Sequence, residues 1–286
     1  MSLSIRSAAI LIIGDEVLNS KIRDLNSYTF AKFCFAHGIT LKAISVVGDE
    51  ALEIASEIRR MSAKYDFIVT SGGIGPTHDD ITYEALATAF NLPLRLDETV
   101  VKRMKQLRSQ LTFDLNPEQL AAQYRMATFP FGPEVKNIIT DESLWVPVVA
   151  IRNQVHVLPG VPQLFSRLLT GLGDILKPRF PDLSSREYLR YYVKTSISES
   201  RLAPYLTSVQ NQWDATLASE AVDDRIKIGS YPHMGLRINT ISIIGLVKFK
   251  SQLREIVAGV VENLEGQEIS KEEEDQMSVD MTEIKL

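Results

Sequence analysis

Apolar residues in the first third of the chain fall in short continuous runs, separated by stretches of mixed polarity. The first run is Ala8-Ala9-Ile10-Leu11-Ile12-Ile13. An unbroken run of this length, ending directly at Gly14-Asp15, predicts a strand buried on both faces, as in parallel sheets. Residues 26 to 37 carry Tyr28, Phe30, Ala31, Phe33, Cys34 and Phe35. That set is too wide for one stripe and predicts a well-covered helix, closed by Gly38 as its C′ residue. Residues 40 to 47 predict a second strand. Gly48-Asp49-Glu50 then leads into a helix over 50 to 64, with Leu52, Ile54, Ala55 and Ile58 inward. A third strand is predicted over 67 to 70. The resulting βαβαβ order predicts an α/β domain: a mainly parallel sheet with helices on both faces.

The pattern then changes. Residues 84 to 126 read as helical, broken near Asn91-Leu92-Pro93 and again at Asn116-Pro117. Val148 to Ile151 and Gln154 to Leu158 predict paired strands around Arg152-Asn153, and a helix is predicted over 162 to 171. Pro178 to Ser185 has linker composition. Beyond it come a strand over 187 to 195, a helix over 199 to 210 with Ser196 or Ser198 as cap, strands over 226 to 232 and 236 to 245, and a helix over 248 to 264. This predicts a first domain over 1–180 and a small α+β domain over 186–265. The acidic stretch 266–286, with Glu272-Glu273-Glu274-Asp275, is expected to be disordered.

Composition narrows the function classes. The chain has 286 residues, 45% hydrophobic and 23% charged, with a formal net charge of −5. That balance argues against nucleic acid as the main partner. The single cysteine, Cys34, rules out an intramolecular disulfide and a multi-cysteine zinc site, and its apolar neighbours predict a buried thiol. No apolar run approaches the roughly 18 residues of a membrane helix. The N-terminal run is too short for a secretory segment. A cytoplasmic protein without a membrane partner is expected.

The stretch with most chemical content is Ser71-Gly72-Gly73-Ile74-Gly75-Pro76-Thr77-His78-Asp79-Asp80, between the third strand and a helix starting near Asp79 or Asp80. Its glycines allow positive φ and close approach of a ligand, and free N–H groups at a helix start suit an anion. The spacing is neither the dinucleotide fingerprint nor the P-loop. A tight turn with Asp as N-cap is the alternative reading. In open α/β sheets ligands bind beyond the carboxyl ends of the strands. The acid-bearing loops at Asp15/Glu16, Asp49 and Asp79/Asp80 therefore share one rim. Carboxylates beside a phosphate loop suit a divalent cation shared with phosphate oxygens. His78 has two readings, a neutral-pH acid–base group or an exposed helix-start histidine. The basic stretch Glu98 to Leu111, with Lys102, Arg103, Lys105 and Arg108, is either a solvated helix face or a surface over an anionic ligand. Pro159-Gly160-Val161-Pro162 is either a rigid turn or a second place where backbone amides face a ligand.

Ser71 to Thr82 resembles the central motif of the molybdopterin-binding (MoCF biosynthesis) superfamily, and more closely that of its CinA branch, which includes the N-terminal domain of eukaryotic FAD synthases. Three other segments agree. Gly14-Asp15-Glu16-Val17-Leu18 with Asp24 and Asn26 is similar to G-D-E-[IL]-L…D-x-N. Val47-Gly48-Asp49 is similar to the family's V-G-D. Leu158 to Pro162 is similar to L-P-G-[VP]-P. Glu199-Ser200 and Gly229-Ser230-Tyr231-Pro232 resemble the second domain of the CinA branch. The chain departs from the family at its N-x-x-G-x-A-P-G loop: Asn137 is followed by Ile138 to Pro147 without a glycine.

The resemblance implies a divalent-metal-dependent nucleotide pyrophosphatase that cleaves FAD to FMN and AMP, or ADP-ribose to ribose phosphate and AMP. It places Asp49, Asp80 and Asp79 at the catalytic centre, with Asp49 and Asp80 on the metal (Mg, Mn or Co). Substrate contacts fall to Gly14, Asp15, Glu16, Asn26, Thr70, Ser71, Gly72, Gly73, Gly75, Pro76, Thr77 and Thr82, and to Pro159, Gly160, Val161 and Pro162. No organic cofactor is expected, and a homodimer is. Nothing after the second domain resembles a deamidase or adenylyltransferase domain, which favours a stand-alone hydrolase. Two other classes stay open: a molybdopterin-binding or adenylylating protein of molybdenum-cofactor biosynthesis, and a non-catalytic nucleotide-binding regulator. The altered 137–147 segment and the second domain count against the first of these; the same segment would fit the second.

Overall fold

The computed structural model describes residues 4–107, 115–182, 186–233 and 235–279. The chain forms two compact units, 1–181 and 182–286. In the first, β1 (Ser7–Ile13), α1 (Asp15–Leu18), α2 (Asn26–Ala36), β2 (Thr40–Val47), α3 (Ala51–Ser62) and β3 (Phe67–Ser71) follow in order. Next come α4 (Thr82–Phe90), β4 (Leu94–Leu96), α5 (Glu98–Leu107), α6 (Pro117–Arg125), β5 (Thr128–Pro130) and β6 (Val135–Ile138). β7 (Val148–Ile151), β8 (Val155–Leu158) and α7 (Pro162–Leu176) complete the unit.

The main sheet runs β2-β1-β3-β8-β7-β6. β2, β1, β3 and β8 are mutually parallel, and only β7 is reversed. Right-handed crossovers from β1 to β2 and from β2 to β3 put α2 and α3 on opposite faces. α2 packs with α7, and α3 with α4. Both faces of β1 are thus covered, which is why Ala8 to Ile13 are all buried. Under α2 the rings of Phe30 and Phe67 lie 5.6 Å apart, with Cys34 fully buried beside them. Arg152 and Asn153 both take positive φ, 57° and 50°, and are the central residues of the turn that joins β7 to β8, closed by the Gln154 N–H on the Ile151 carbonyl (3.0 Å).

Several expectations are corrected. Leu52 is 80% exposed; it sits in the first turn of α3, whose buried stripe is Ile54, Ala55, Ile58 and Met61. The break after α4 is made by Asn91 in the left-handed region (φ 53°), and it holds a strand, β4, paired with β5. α4 begins at Thr82, not at Asp79 or Asp80, and neither aspartate caps it. The reason is that Asp80 turns back on its own loop, where its carboxylate accepts from the Thr77 N–H and hydroxyl. Arg103 is drawn off the solvated face of α5: it donates to the carbonyls of Glu142 (2.5 Å) and Leu144 (2.8 Å). Arg108 and Leu111 lie outside the described residues.

The second unit is an antiparallel sheet in the order β10-β11-β9-β12. Its strands are β9 (Tyr188–Thr195), β10 (Lys227–His233), β11 (Ile238–Leu246) and β12 (Gln267–Ile269). α8 (Glu199–Thr216) and α9 (Lys250–Asn263) bury Leu202, Trp213, Leu253 and Ile256 against Val193, Ile241 and Ile243. The stretch expected to be a disordered tail is structured from 267 to 279. β12 adds to the free edge of β9, Ile269 is buried, and α10 (Lys271–Val279) follows with Glu274 buried. One apolar position within the acidic composition, Ile269, supplies the anchoring burial. Residues 280–286 lie outside the described residues.

Candidate functional site

The parallel register delivers four loops to one sheet edge. Ile13 stands opposite Val47, Ile12 opposite Ser71, and Ser71 opposite Leu158. The turns after β1, β2, β3 and β8 therefore leave side by side. β6 runs in the same sense as β8, so the altered 137–147 segment, which begins inside β6, leaves the same edge at its far end. That segment packs on α7, where a Cβ at Gly171 would stand 2.4 Å from the Thr140 carbonyl. It is tied down by Arg103 and by Arg167, which pairs with Asp141 at 2.5 Å.

The glycine turn is dictated by crowding. Gly72 has φ 111°, and a Cβ there would stand 2.1 Å from the Ile13 carbonyl oxygen; Gly73 has φ 63°. No other residue type fits these two positions without strain. Thr82 closes the turn: its hydroxyl donates to the Gly72 carbonyl (2.9 Å) and its N–H to that of Gly73 (3.0 Å). Pro76, Thr77 and His78 are exposed at the tip, and Gly75 packs on the Asp80 carboxylate. Thr70 sits inside β3, fully buried, with its hydroxyl unpartnered.

Asn26 ties two of the loops together. Its Nδ2 donates to Ser71 Oγ and to the Gly160 carbonyl, both at 2.8 Å. This holds the N-terminus of α2 beside the turn Pro159-Gly160-Val161 and the N-terminus of α7, which starts at Pro162. Two positive helix ends thus face the same rim. Between them lies a small cavity of about 30 Å³, lined among others by Glu16, Asp24, Asn26, Ser71, Gly160 and Pro162. Arg23 and the half-exposed Ile22 and Leu25 stand at it too. These three did not stand out in the sequence. The available signal was two apolar residues inside an otherwise polar loop before Asn26.

Other carboxylates bear on Asp49, in the turn after β2. The Asp15 N–H donates to Asp49 Oδ2 at 3.0 Å. Burial raises the Asp49 pKa; the Asp15 N–H opposes this, and repulsion from Asp15, Glu16 and Asp79 adds to it. The structure thus brings Asp49 into electrostatic contact with Asp15, Glu16 and Asp79, while the Asp80 carboxylate is engaged by Thr77. A divalent ion suits this donor set: the ligands are hard oxygens, and the repulsion at Asp49 is what a cation relieves. Among the described residues no three His, Cys, Asp or Glu side chains stand close enough to hold an ion alone. Water and phosphate oxygens would complete its shell, as is usual for Mg²⁺.

A mainly parallel sheet carries a glycine turn, two helix N-termini and clustered acids at its carboxyl edge, the edge at which open α/β sheets receive ligands. The chain belongs to the family described as the probable molybdopterin binding domain, whose model matches residues 9–180, and to its CinA-like branch. It is 32% identical over 274 residues to a probable FAD synthase of Caenorhabditis elegans, an alignment covering 89% of this chain and 50% of that one. It thus spans about half the length of that relative. A Pyrococcus horikoshii protein is 29% identical, with 92% of this chain and 96% of that one covered. Among solved structures, the Thermoplasma acidophilum protein CinA superposes with a TM-score of 0.50 and 28% identity, over 61% of this chain and 97% of that one. No helix among the described residues is long and apolar enough to cross a membrane.

Proposed function

We propose that this chain hydrolyses a phosphoanhydride in a nucleotide-type metabolite, FAD to FMN and AMP or ADP-ribose to ribose phosphate and AMP, with a divalent cation. The observation that carries this reading is the bond from the Asp15 N–H to the Asp49 carboxylate (3.0 Å), which joins two acid-bearing loops on the same sheet edge as the glycine turn and two helix N-termini. The N–H groups of the turn and of α7 hold phosphate oxygens. Asp49, with Asp80 at the neighbouring loop, would hold the ion, which when bound would neutralise the phosphates and polarise a water. The water oxygen adds to one phosphorus, the bridging P–O bond breaks, and the proton passes to a rim carboxylate. The likeness to a probable FAD synthase supports a flavin or adenine nucleotide as substrate.

The test is incubation with FAD, ADP-ribose and NAD, each with Mg²⁺, Mn²⁺ or Co²⁺, following AMP by chromatography, with Asp49→Ala and Asp80→Ala alongside. AMP that requires metal and disappears in both variants is the expected result. No AMP under any condition sinks the reading for these substrates. Binding without cleavage assigns a regulatory nucleotide-binding role, and a pterin retained through purification assigns the chain to molybdenum-cofactor biosynthesis. A homodimer is expected on light scattering.

A further inference from the structure

We infer that Arg125, the last residue of α6, is the positioning residue of the acid-bearing loop: its guanidinium fixes Asp79 and Asp80 at the rim by donating to the Asp80 carbonyl. For its consequence in turnover the inference rests on the hydrolytic reading above, and it adds a residue that the sequence did not single out. The loop is pinned at both ends. Thr82 bonds to Gly72 and Gly73, and Ile74 and Ile81 pack on the core. Between these, Gly75 to Asp80 bond to one another. The Thr77 N–H donates to Asp80 Oδ2 at 2.9 Å, and the Asp80 N–H donates to the Thr77 carbonyl at 3.2 Å. Such bonds fix the shape of the tip and not its place on the sheet. Among the described residues, one hydrogen bond enters the stretch from outside: Arg125 Nη2 donates to the Asp80 carbonyl at 3.3 Å, partly buried.

The donor itself is held firmly. α6 starts at a capping box in which Asn116 and Gln119 bond to each other's backbone, and Ala127, just beyond Arg125, is fully buried on the way into β5. Arg125 therefore ties the tip to a fixed part of the domain 45 residues away. A guanidinium donates from a rigid plane, and a bond from a charged donor is roughly twice as strong as a neutral one. The same nitrogen lies 3.6 Å from Glu84 Oε1, but both side chains are more than a third exposed, and an ion pair so exposed contributes little. The hold on the loop is thus the carbonyl bond. Its loss leaves Gly72 and Gly73 in place under Thr82 and frees the acids beyond them. Misplacing a reacting group by 1 Å costs up to about a hundredfold in rate, so the loss falls on turnover rather than on binding.

The test compares Arg125→Met, Arg125→Lys and Glu84→Gln with wild type in two readouts. The first is hydrogen exchange of the Thr77 and Asp80 amides by NMR, which needs no substrate. Arg125→Met should speed it about tenfold while the amides of β1 and β3 keep their wild-type rates, and Glu84→Gln should leave it unchanged. The second is AMP release. Arg125→Met should lower kcat by about ten- to a hundredfold with KM within about twofold of wild type. Arg125→Lys, which keeps a donor, should recover part of that loss. If Arg125→Met does not fold in a circular-dichroism melt, Arg125→Gln takes its place in both readouts. Wild-type exchange without the guanidinium overturns the inference. So does an equal loss in Glu84→Gln, or a change in KM with kcat unaltered. Faster exchange in a protein that releases no AMP upholds the hold on the loop and removes only the hydrolytic reading.

Discussion

The two units of the chain are built from the same elements and differ in what their edges can do. In the first, four strands run in parallel, so the turns after β1, β2, β3 and β8 all leave one edge. Residues far apart in sequence then meet there: Asp15 and Asp79 both bear on the charge of Asp49. In the second, every pairing is antiparallel, so the turns after β9 and β10 leave one edge and those after β11 and β12 the other. Its polar peculiarities are consequently interior. His233 is buried, with Nε2 2.9 Å from Thr240 Oγ1 and 3.4 Å from Glu274 Oε2. That cluster fastens α10 to the sheet. Parallel topology concentrates chemistry at an edge, and antiparallel topology distributes it.

The largest effect that would break this comparison is in turnover. Asp49→Ala should lower AMP release by about two to four orders of magnitude, as loss of a catalytic carboxylate does. The same measurement on Glu274→Ala should show no comparable loss. Next is stability: Leu253→Ala in the second core should cost about 2–5 kcal/mol in denaturant unfolding. AMP release from the folded fraction should stay at the wild-type rate. A proportionate fall in turnover would show that the second unit shapes the site.

A pH effect of similar size belongs to the first unit. His156, fully buried in β8, has its pKa lowered to about 4 from 6.5, by burial first and then by the Arg179 charge. The unfolded chain therefore binds the extra proton first. Stability from the neutral ring is present above about pH 6.5 and is lost as pH falls towards 4, by roughly 3 kcal/mol. His156→Gln should flatten that slope in pH-dependent melts. The smallest effects sharpen the rim itself. Gly72→Ala should destabilise the first unit by at least about 1 kcal/mol, read as a lower Tm, because of its positive φ and the Ile13 carbonyl. Asp49→Asn should raise Tm slightly at neutral pH. The raised pKa means that the charged form costs stability above the folded pKa, and the gain should vanish as pH falls below the unfolded value near 3.8.

Much of the first unit was legible from order alone. Runs such as Ala8 to Ile13 and Phe67 to Val69 could only be buried parallel strands, and the βαβαβ order placed their turns on one rim. The strand β4 and the helix α10 were not legible. Each depends on a partner distant in sequence or on a lone buried side chain, Thr128 to Pro130 for the strand and Glu274 for the helix. Asp80 looked like a helix cap because caps are read from spacing, and its bonds to Thr77 are a matter of how the loop folds back.

The sequence by itself determined the βαβαβ succession of the first unit, the glycine turn and the family, because hydrophobic period, turn chemistry and motif spacing are local and survive without coordinates. Only the tertiary structure decided that Asp49 is coupled to Asp79, that Arg103 and Arg167 hold the altered 137–147 segment, and that Arg125 reaches the Asp80 carbonyl. Charge coupling and hydrogen bonding depend on distances of a few ångströms between residues tens of positions apart, and those distances exist only once the sheet has formed.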